Sequence, residues 1–289
     1  MQIFMMFLPA LGWGIMPILA KKIGGKPEDQ LLGTTLAALV FSFMFSSCSN
    51  TNINFNSLIF IVGFLSGAFW SIGQLLQFIV LKGESVSQVM PLSNGTQIIF
   101  VTLSGGILLN EWHSLISFIV SIVGIVSILI GIKLFPATRE GPNKTENSKI
   151  APLKVMIIIL ISSFSLCLYI IFPKLFQIKN ESLILPQAIG MFVTTLVISN
   201  LRKVKYNKKL VSKNILTGVA WSIANFSLFR LSESVSISFA FLLSQLAVFI
   251  SVILNSIIAY TNGERSDNKK IVFGMIFFLF GILFFSISK

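Results

Sequence analysis

The sequence predicts an all-α polytopic membrane protein, with ten transmembrane helices arranged as two inverted five-helix repeats. Three observations lead to this fold class. Hydrophobic residues make up 54 % of the 289 positions and charged residues only 11 %, whereas about 25 % of the residues in soluble domains are charged. Apolar runs long enough to cross a bilayer recur along the chain. Short motifs of the first half reappear 149 to 157 residues later.

The ten helices are predicted from apolar runs, because about 20 residues are needed to cross the hydrocarbon core. The first run lacks the positively charged start of a secretory signal, so we interpret it as a retained helix. The fourth run follows a short polar gap in which Ser85 and Gln88 predict a capping box. The predicted helices cover residues 2–20, 30–47, 57–81, 86–108, 114–134, 155–177, 182–201, 214–231, 235–261 and 271–287.

Positive charge predicts the orientation of these helices. Of the 22 Lys and Arg residues, 18 lie in the loops that follow helices 1, 3, 5, 7 and 9, and 4 lie on the other side. Cytoplasmic loops are enriched in Lys and Arg, so both termini are predicted to lie outside the cell. The net charge of +12 is then a topological signal that faces anionic lipid, and nucleic acid is not expected as a partner.

The longest polar stretch, residues 136–152, divides the chain into two candidate five-helix repeats, residues 1–135 and 153–289. We expect this stretch to be a cytoplasmic linker loop. Because five is odd, two such units joined in one chain insert in opposite orientations, as in many secondary transporters. The segments that match between the halves are LSGAFWSIGQ at 65–74 with LTGVAWSIAN at 216–225, ESVS at 84–87 with ESVS at 233–236, DQLLG at 29–33 with PQAIG at 186–190, and Pro17 with Pro173.

Neutral polar and aromatic side chains within the predicted spanning helices are candidate substrate ligands. Trp70 and Gln74 are one helical turn apart on one face, and Trp221 and Asn225 repeat this spacing in the second half. Amides also join membrane helices through hydrogen bonds, so for any one residue packing and binding are equally good interpretations. The recurrence of the Trp–amide pair favours binding. The substrate-binding candidates are Trp13, Trp70, Gln74, Asn94, Gln97, Trp221, Asn225, Ser244 and Gln245.

Indoles and neutral amides together suit a sugar. The apolar C–H face of a sugar ring packs on an indole, and carboxamides both donate to and accept from its hydroxyls. A cation would require carboxylates and a phosphate would require Arg or Lys, and we expect neither inside the membrane. We therefore predict a neutral polyhydroxy solute at the midplane, with Trp70 and Trp221 packing on it from opposing halves. Small neutral drugs are the alternative.

Catalytic and metal sites are not expected. Cys48 and Cys167 are far apart in the sequence, and the single His113 builds neither a zinc site nor a catalytic triad. No cofactor is expected either. The ten acidic residues all lie in loops or at helix ends, so we expect no buried carboxylate. The remaining candidates for proton coupling are the helix-end acids Glu84, Glu111 and Glu233.

Six motifs occur in order along nearly the whole chain: GWGIMPILAKKIGGKPEDQLLGTTLAAL, FWSIGQLLQF, MPLSNGTQIIF, NEW, SFAFLLSQLAVFIS and NGE. Together they resemble the bacterial glucose uptake protein family, within the drug/metabolite transporter superfamily. This resemblance implies ten helices in two inverted halves. It also implies proton-coupled import of a sugar across the bacterial plasma membrane, with glucose as the leading candidate. It also implies that the nine candidates form the site. Ala224 and Ala247 replace the small Gly that the family tends to have and would narrow that site.

Two other functions are compatible with the sequence. The same fold could export small drugs or metabolites, because alternating access runs in both directions. The chain could also be a non-transporting membrane sensor or assembly protein, although polar groups repeated within spanning helices favour transport. The sequence predicts a monosaccharide, protons and the lipid bilayer as partners, and it carries no signal for an oligomeric state.

Overall fold

The computed structural model describes residues 2–48, 56–135, 151–178, 180–234, 244–263 and 267–287. These residues form ten α-helices and no β-strand, which confirms the all-α prediction. Most of the predicted linker, residues 136–150, lies outside the described part of the chain. The helices are α1 (Gln2–Ile23), α2 (Pro27–Cys48), α3 (Ser57–Gly83), α4 (Val86–Leu108), α5 (Leu115–Leu134), α6 (Pro152–Leu175), α7 (Asn180–Leu201), α8 (Lys208–Ser234), α9 (Ala247–Thr261) and α10 (Asn268–Ile287).

Two helix starts differ from the prediction by more than three residues. The eighth helix begins at Lys208 rather than at 214, because Asn207 caps it: the Asn207 Oδ1 atom accepts from the backbone N–H groups of Lys209 and Leu210 at 3.1 and 3.3 Å. In the ninth predicted helix, residues 235–243 lie outside the described residues, and a turn at 245–246 precedes α9. The predicted helix therefore does not run unbroken to its end.

The predicted capping box at the start of α4 is wrong. Ser85 does occupy the N-cap position, but its side chain accepts no capping hydrogen bond. Its hydroxyl oxygen lies 3.4 Å from that of Ser87 instead. The helix start was therefore predicted correctly, and the side-chain interaction that stabilises it was not.

The outer surface of the bundle fits a lipid environment. Within the described residues, six helices are long and apolar enough to cross a membrane, namely α2, α3, α5, α6, α7 and α10. Large apolar side chains such as Ile119, Val126 and Phe280 are exposed on the outward faces of α5 and α10. An apolar surface of this extent would be unfavourable in water, whereas lipid tails cover it without loss.

Helices of the two halves pack against each other in matching pairs. Helix α3 packs on α6 and α7, and α8 packs on α1 and α2. Exchanging each helix for the one five places away converts the α3–α7 pair into α8–α2, and the α3–α6 pair into α8–α1. The same exchange converts α4–α6 into α9–α1, and it leaves α5–α10 unchanged. The pairs thus follow the five-helix offset of the predicted repeat, and the repeat and its inversion stay predictions.

Glycine allows the closest of these helix contacts. A Cβ atom at Gly67 in α3 would collide with the backbone carbonyl of Gln187 in α7. A Cβ atom at Gly218 in α8, which matches Gly67 in the repeat, would collide with the carbonyl of Thr34 in α2. The two matching interfaces therefore depend on the same small residue, as is common where membrane helices cross closely.

Candidate functional site

A cavity of about 200 Å³ lies between the two halves. A buried water needs about 10–15 Å³ of such space, so the cavity has room for a small solute. Its walls come from helices of both halves and from the segment around residues 244–247. The cavity is lined by all nine substrate-binding candidates, namely Trp13, Trp70, Gln74, Asn94, Gln97, Trp221, Asn225, Ser244 and Gln245. The structure thus brings these residues together, and their roles in binding stay predictions.

The two repeated indoles touch each other. The ring centroids of Trp70 and Trp221 are 5.0 Å apart, with 60° between the ring planes. Both side chains are buried. No sugar ring fits between two indoles at this separation, so the expected sandwich, with one indole on each face of the sugar, is not present in this conformation. A solute in the cavity would lie beside the indole pair.

An ordered chain of hydrogen bonds links the first Trp–amide pair to α4. The Gln74 Nε2 atom donates to Gln77 Oε1 at 2.8 Å, and Gln77 Nε2 donates to Ser93 Oγ at 2.8 Å. All three side chains are buried. Gln77 also lines the cavity, although both ends of its amide are engaged by protein groups.

The second Trp–amide pair is held differently. The Tyr169 hydroxyl in α6 donates to Asn225 Oδ1 over a long distance of 3.5 Å. Sequence reasoning missed Tyr169, which lines the cavity. The signal was available, because WGIMP at 13–17 aligns with YIIFP at 169–173 when Pro17 is matched to Pro173. Tyr169 is therefore the counterpart of Trp13.

Several polar groups around the cavity have no hydrogen-bond partner within the described part of the chain. They include the buried Nε1 atom of Trp13 and the buried Oε1 atom of Gln187. Gln187 lies in the PQAIG repeat segment and uses its other amide atom, Nε2, to donate to Ser66 Oγ at 2.9 Å. An unpaired buried polar atom costs about 1–3 kcal/mol, which a solute or a change of conformation could recover.

The cavity wall is not wholly neutral. Lys174 lines it, next to Pro173 near the end of α6. The expectation that no Lys or Arg would reach the interior is therefore wrong at this position. The predicted helix 155–177 already placed Lys174 near its end, and the cavity reaches that end of α6.

A second buried polar cluster lies at the end of the bundle that carries the loops 24–26, 84–85 and 202–207, which we call the basic end. Asp29 Oδ2 accepts from the Lys26 backbone N–H at 3.1 Å, and Asp29 Oδ1 accepts from the Asn207 backbone N–H at 2.9 Å. The Glu28 carboxylate pairs with Arg202 at 2.7 Å. We call these five residues the basic-end network.

The basic-end network corrects the expectation that no carboxylate is buried. Only 5 % of Glu28 and 1 % of Asp29 are exposed. Lys26 Nζ also donates to the Lys205 carbonyl at 3.1 Å, which joins the 24–26 and 202–207 loops. Asn214 Nδ2 in α8 donates to the Gly24 carbonyl at 3.2 Å.

The carboxylates of this network affect the pKa of Tyr206 in the 202–207 loop. Burial raises the pKa of the Tyr206 phenol, the Ser199 hydroxyl partly offsets this increase, and the nearby carboxylates of Asp29 and Glu28 each add a smaller increase. The phenol therefore stays neutral over the whole physiological pH range.

The three candidates for proton coupling lie away from the cavity wall or outside the described side chains. Glu84 caps the end of α3, where its backbone carbonyl accepts a hydrogen bond from Lys21 Nζ. The Glu111 carboxylate lies against Gly105 near the end of α4. Neither residue lines the cavity. The side chain of Glu233 is not among those described. The role of these acids in coupling stays a prediction.

Known proteins resemble this chain in sequence or in fold over nearly its whole length. Residues 4–288 match the family described as sugar transport proteins. A Listeria innocua protein whose name assigns it to sugar uptake is 37 % identical over 282 residues, covering 98 % of this chain and 97 % of that protein. The glucose uptake protein of Bacillus subtilis is 32 % identical over 289 residues, covering 100 % and 99 %. A solved crystal structure at 10 % identity shares the fold, with a TM-score of 0.64 over 99 % of this chain and 96 % of that one.

Proposed function

This chain belongs to the family of sugar transport proteins, and on that premise we propose that it imports a neutral monosaccharide, glucose foremost, by alternating access around the central cavity. Membership makes it a multi-pass membrane transporter rather than an enzyme, as the sequence predicted, and it confirms the resemblance to the glucose uptake proteins. The choice of substrate, the direction and the mechanism are the proposal.

The observation that carries the proposal is the composition of the cavity wall. Indoles and neutral amides from both halves converge on one space of about 200 Å³. Asn94 and Gln97 line it with amides that form no hydrogen bond to other described residues. Such groups are suited to hydroxyls, which both donate and accept. Lys174 is the one described basic residue in the wall, and a single cation among neutral groups does not require an anionic substrate.

Closure at the basic end supports alternating access. Ala20, Leu81 and Val86 are buried near the ends of α1, α3 and α4 that meet the basic end. The cavity-lining residues Trp13, Gln77 and Met90 lie further along the same helices. By the distribution of Lys and Arg, the basic end faces the cytoplasm and both termini lie outside. Release of sugar into the cell would then require the 24–26 and 202–207 loops to separate, with one half rocking against the other.

Uptake into proteoliposomes tests the function. We expect labelled glucose to enter and a cationic dye to be ignored. Trp70→Leu and Trp221→Leu should weaken glucose binding, because contacts with an aromatic ring are worth about 1 kcal/mol. Trp112→Leu is the matched control, since Trp112 does not line the cavity. Transport of the dye without glucose would favour the drug exporter, and absence of any flux would favour the sensor.

Proton coupling is tested in the same vesicles. We propose that a proton gradient drives accumulation and that Glu111→Gln reduces accumulation more than it reduces exchange between equal sugar pools. If accumulation persists when Glu84, Glu111 and Glu233 are all replaced by Gln, these carboxylates do not carry the proton.

The orientation has its own test. A reporter active only in the cytoplasm should be silent when fused after Lys289 and active when inserted at Asn143. The reverse pattern would overturn the orientation of the chain and, with it, the assignment of the basic end to the cytoplasm.

A further inference from the structure

We propose that the two repeated amides present opposite atoms to the sugar: Gln74 offers its carbonyl oxygen as an acceptor, and Asn225 offers its amide nitrogen as a donor. Gln77 and Ser93 act as positioning residues that fix Gln74 in this orientation. The inference rests on the proposed function, because sugar hydroxyls are the groups that these atoms would read.

The orientation of Gln74 follows from the direction of its hydrogen-bond chain. A serine hydroxyl can accept or donate; in the structure Ser93 Oγ accepts from Gln77 Nε2, which turns the Gln77 Oε1 atom towards Gln74. An amide oxygen can only accept, and Gln74 must therefore meet it with Nε2, as the 2.8 Å distance shows. The Oε1 atom of Gln74 is left without a partner among the described residues. Since Gln74 lines the cavity, this oxygen is its available atom.

The orientation of Asn225 is the reverse. Its Oδ1 atom faces the Tyr169 hydroxyl, which leaves Nδ2 as the atom without a partner within the described residues. The contact of 3.5 Å is long, so Asn225 is held less firmly than Gln74, whose chain has two links of 2.8 Å.

The positioning chain belongs to the first half only. The repeat offset that pairs Trp70 with Trp221 also pairs Gln74 with Asn225, and it pairs Gln77 with Leu228. Leu228 cannot form a hydrogen bond through its side chain, although it lines the same cavity. The two walls are thus related in shape and opposite in hydrogen-bonding character. A sugar would therefore bind in one orientation, donating a hydroxyl to the first half and accepting with another from the second.

Analogues of glucose distinguish a donated hydroxyl from an accepting one. Replacing a hydroxyl by hydrogen removes both functions, whereas fluorine retains weak accepting ability and cannot donate. For the hydroxyl read by Gln74, the deoxy and fluoro analogues should lose competition against labelled glucose equally, by about tenfold. For the hydroxyl read by Asn225, the fluoro analogue should compete better than the deoxy analogue.

Ser93→Ala tests the positioning role without touching the cavity wall, since Ser93 does not line the cavity. Without the Ser93 hydroxyl, Gln77 can turn over and Gln74 can present either atom. The fluoro analogue at the Gln74 position should then regain competition relative to the deoxy analogue. Ser162→Ala is the matched control, because Ser162 is another fully buried serine, whose hydroxyl donates to the Gly73 carbonyl outside this chain.

The outcomes separate this inference from the proposed function. If no monosaccharide competes or is transported, the function itself fails. If glucose is transported but deoxy and fluoro analogues behave alike at every position, the opposite polarity of the two amides is wrong. If Ser93→Ala keeps the wild-type pattern, as Ser162→Ala should, the positioning role is wrong. Should Ser93→Ala not fold, the analogue series on the wild-type protein still decides the polarity.

Discussion

The central cavity and the basic-end network are both polar clusters buried between the halves, but they differ in charge and in pairing. The cavity wall is almost entirely neutral, and it contains buried atoms without partners, such as Trp13 Nε1 and Gln187 Oε1, among the described residues. The network is charged, and both oxygens of Asp29 accept a backbone N–H. Its other carboxylate, Glu28, pairs with Arg202.

This difference follows from the cost of burying each kind of group. An unpaired neutral group costs about 1–3 kcal/mol, which a protein can tolerate at a few positions and which a hydroxyl of a substrate can recover. An unpaired buried charge costs several kcal/mol, so charged groups occur where partners are permanent. The charged groups of the basic-end network therefore connect loops, and the neutral polar groups of the cavity wall are available to a solute.

The strongest test of the comparison removes the charge from the network. Asp29→Asn places an amide where two backbone N–H groups require acceptors, so one of them faces another donor. Hydrogen bonds to charged groups contribute about 1.5–3 kcal/mol, and we expect a loss of this size in the stability of the detergent-solubilised protein, measured by thermal unfolding.

The matched control is Asp267→Asn. Asp267 also accepts a backbone N–H, from Lys270 at 3.2 Å, but its side chain is much more exposed. The control should change the unfolding temperature little. Equal effects for both substitutions would show that the basic-end network contributes no more than an ordinary helix cap.

A smaller effect is expected for the ion pair between Glu28 and Arg202. The Arg202 side chain is 49 % exposed, so solvent screens the pair. A double-mutant cycle with Glu28→Gln and Arg202→Gln should give a coupling of about 1 kcal/mol or less, and the coupling should fall as salt is added. A coupling that is insensitive to salt would mean that the pair is far less accessible to ions than its exposure indicates.

A comparable substitution in the cavity wall should cost still less. Gln187→Met keeps the approximate volume, loses the bond to Ser66 and removes an oxygen that has no partner within the described residues. The two changes oppose each other, so we expect the stability of the sugar-free protein to change by less than about 1 kcal/mol. A loss as large as that of Asp29→Asn would assign the Gln187 amide to helix packing and would remove the contrast between the clusters.

The smallest effect concerns pH. The raised pKa of Tyr206 means that the folded protein favours the neutral phenol. The corresponding stability is fully present below the ordinary tyrosine pKa of about 10 and is lost as the pH rises through the raised value. Unfolding scans at rising alkaline pH should show an extra loss in the wild type that Tyr206→Phe lacks. Parallel curves would show that the burial of the phenol has no energetic consequence.

The repeated motifs made most of the cavity predictable from sequence. Trp70 with Gln74 and Trp221 with Asn225 are spaced alike, and the predicted repeat would bring both pairs to one site, where the structure places them. Tyr169 was missed because the second half has Tyr rather than Trp at the position that matches Trp13.

Contacts between loops that are far apart in the sequence cannot be predicted from local residue patterns. Glu28 and Asp29 stand at the start of a helix, where exposure is the usual outcome. They are buried because the 202–207 loop folds over them, far away in the sequence. The contact between the Trp70 and Trp221 indoles could not be predicted either, because matching positions in a repeat indicate symmetry but do not give the distance between the side chains.

The indole contact between Trp70 and Trp221 also provides an intrinsic spectroscopic probe. Two indoles with centroids 5.0 Å apart are close enough for their electronic transitions to couple. One belongs to each half, and the sequence contains only four tryptophans. If the proposed rocking separates the two halves, this coupling should weaken, and near-ultraviolet circular dichroism of the unlabelled protein should then change during transport.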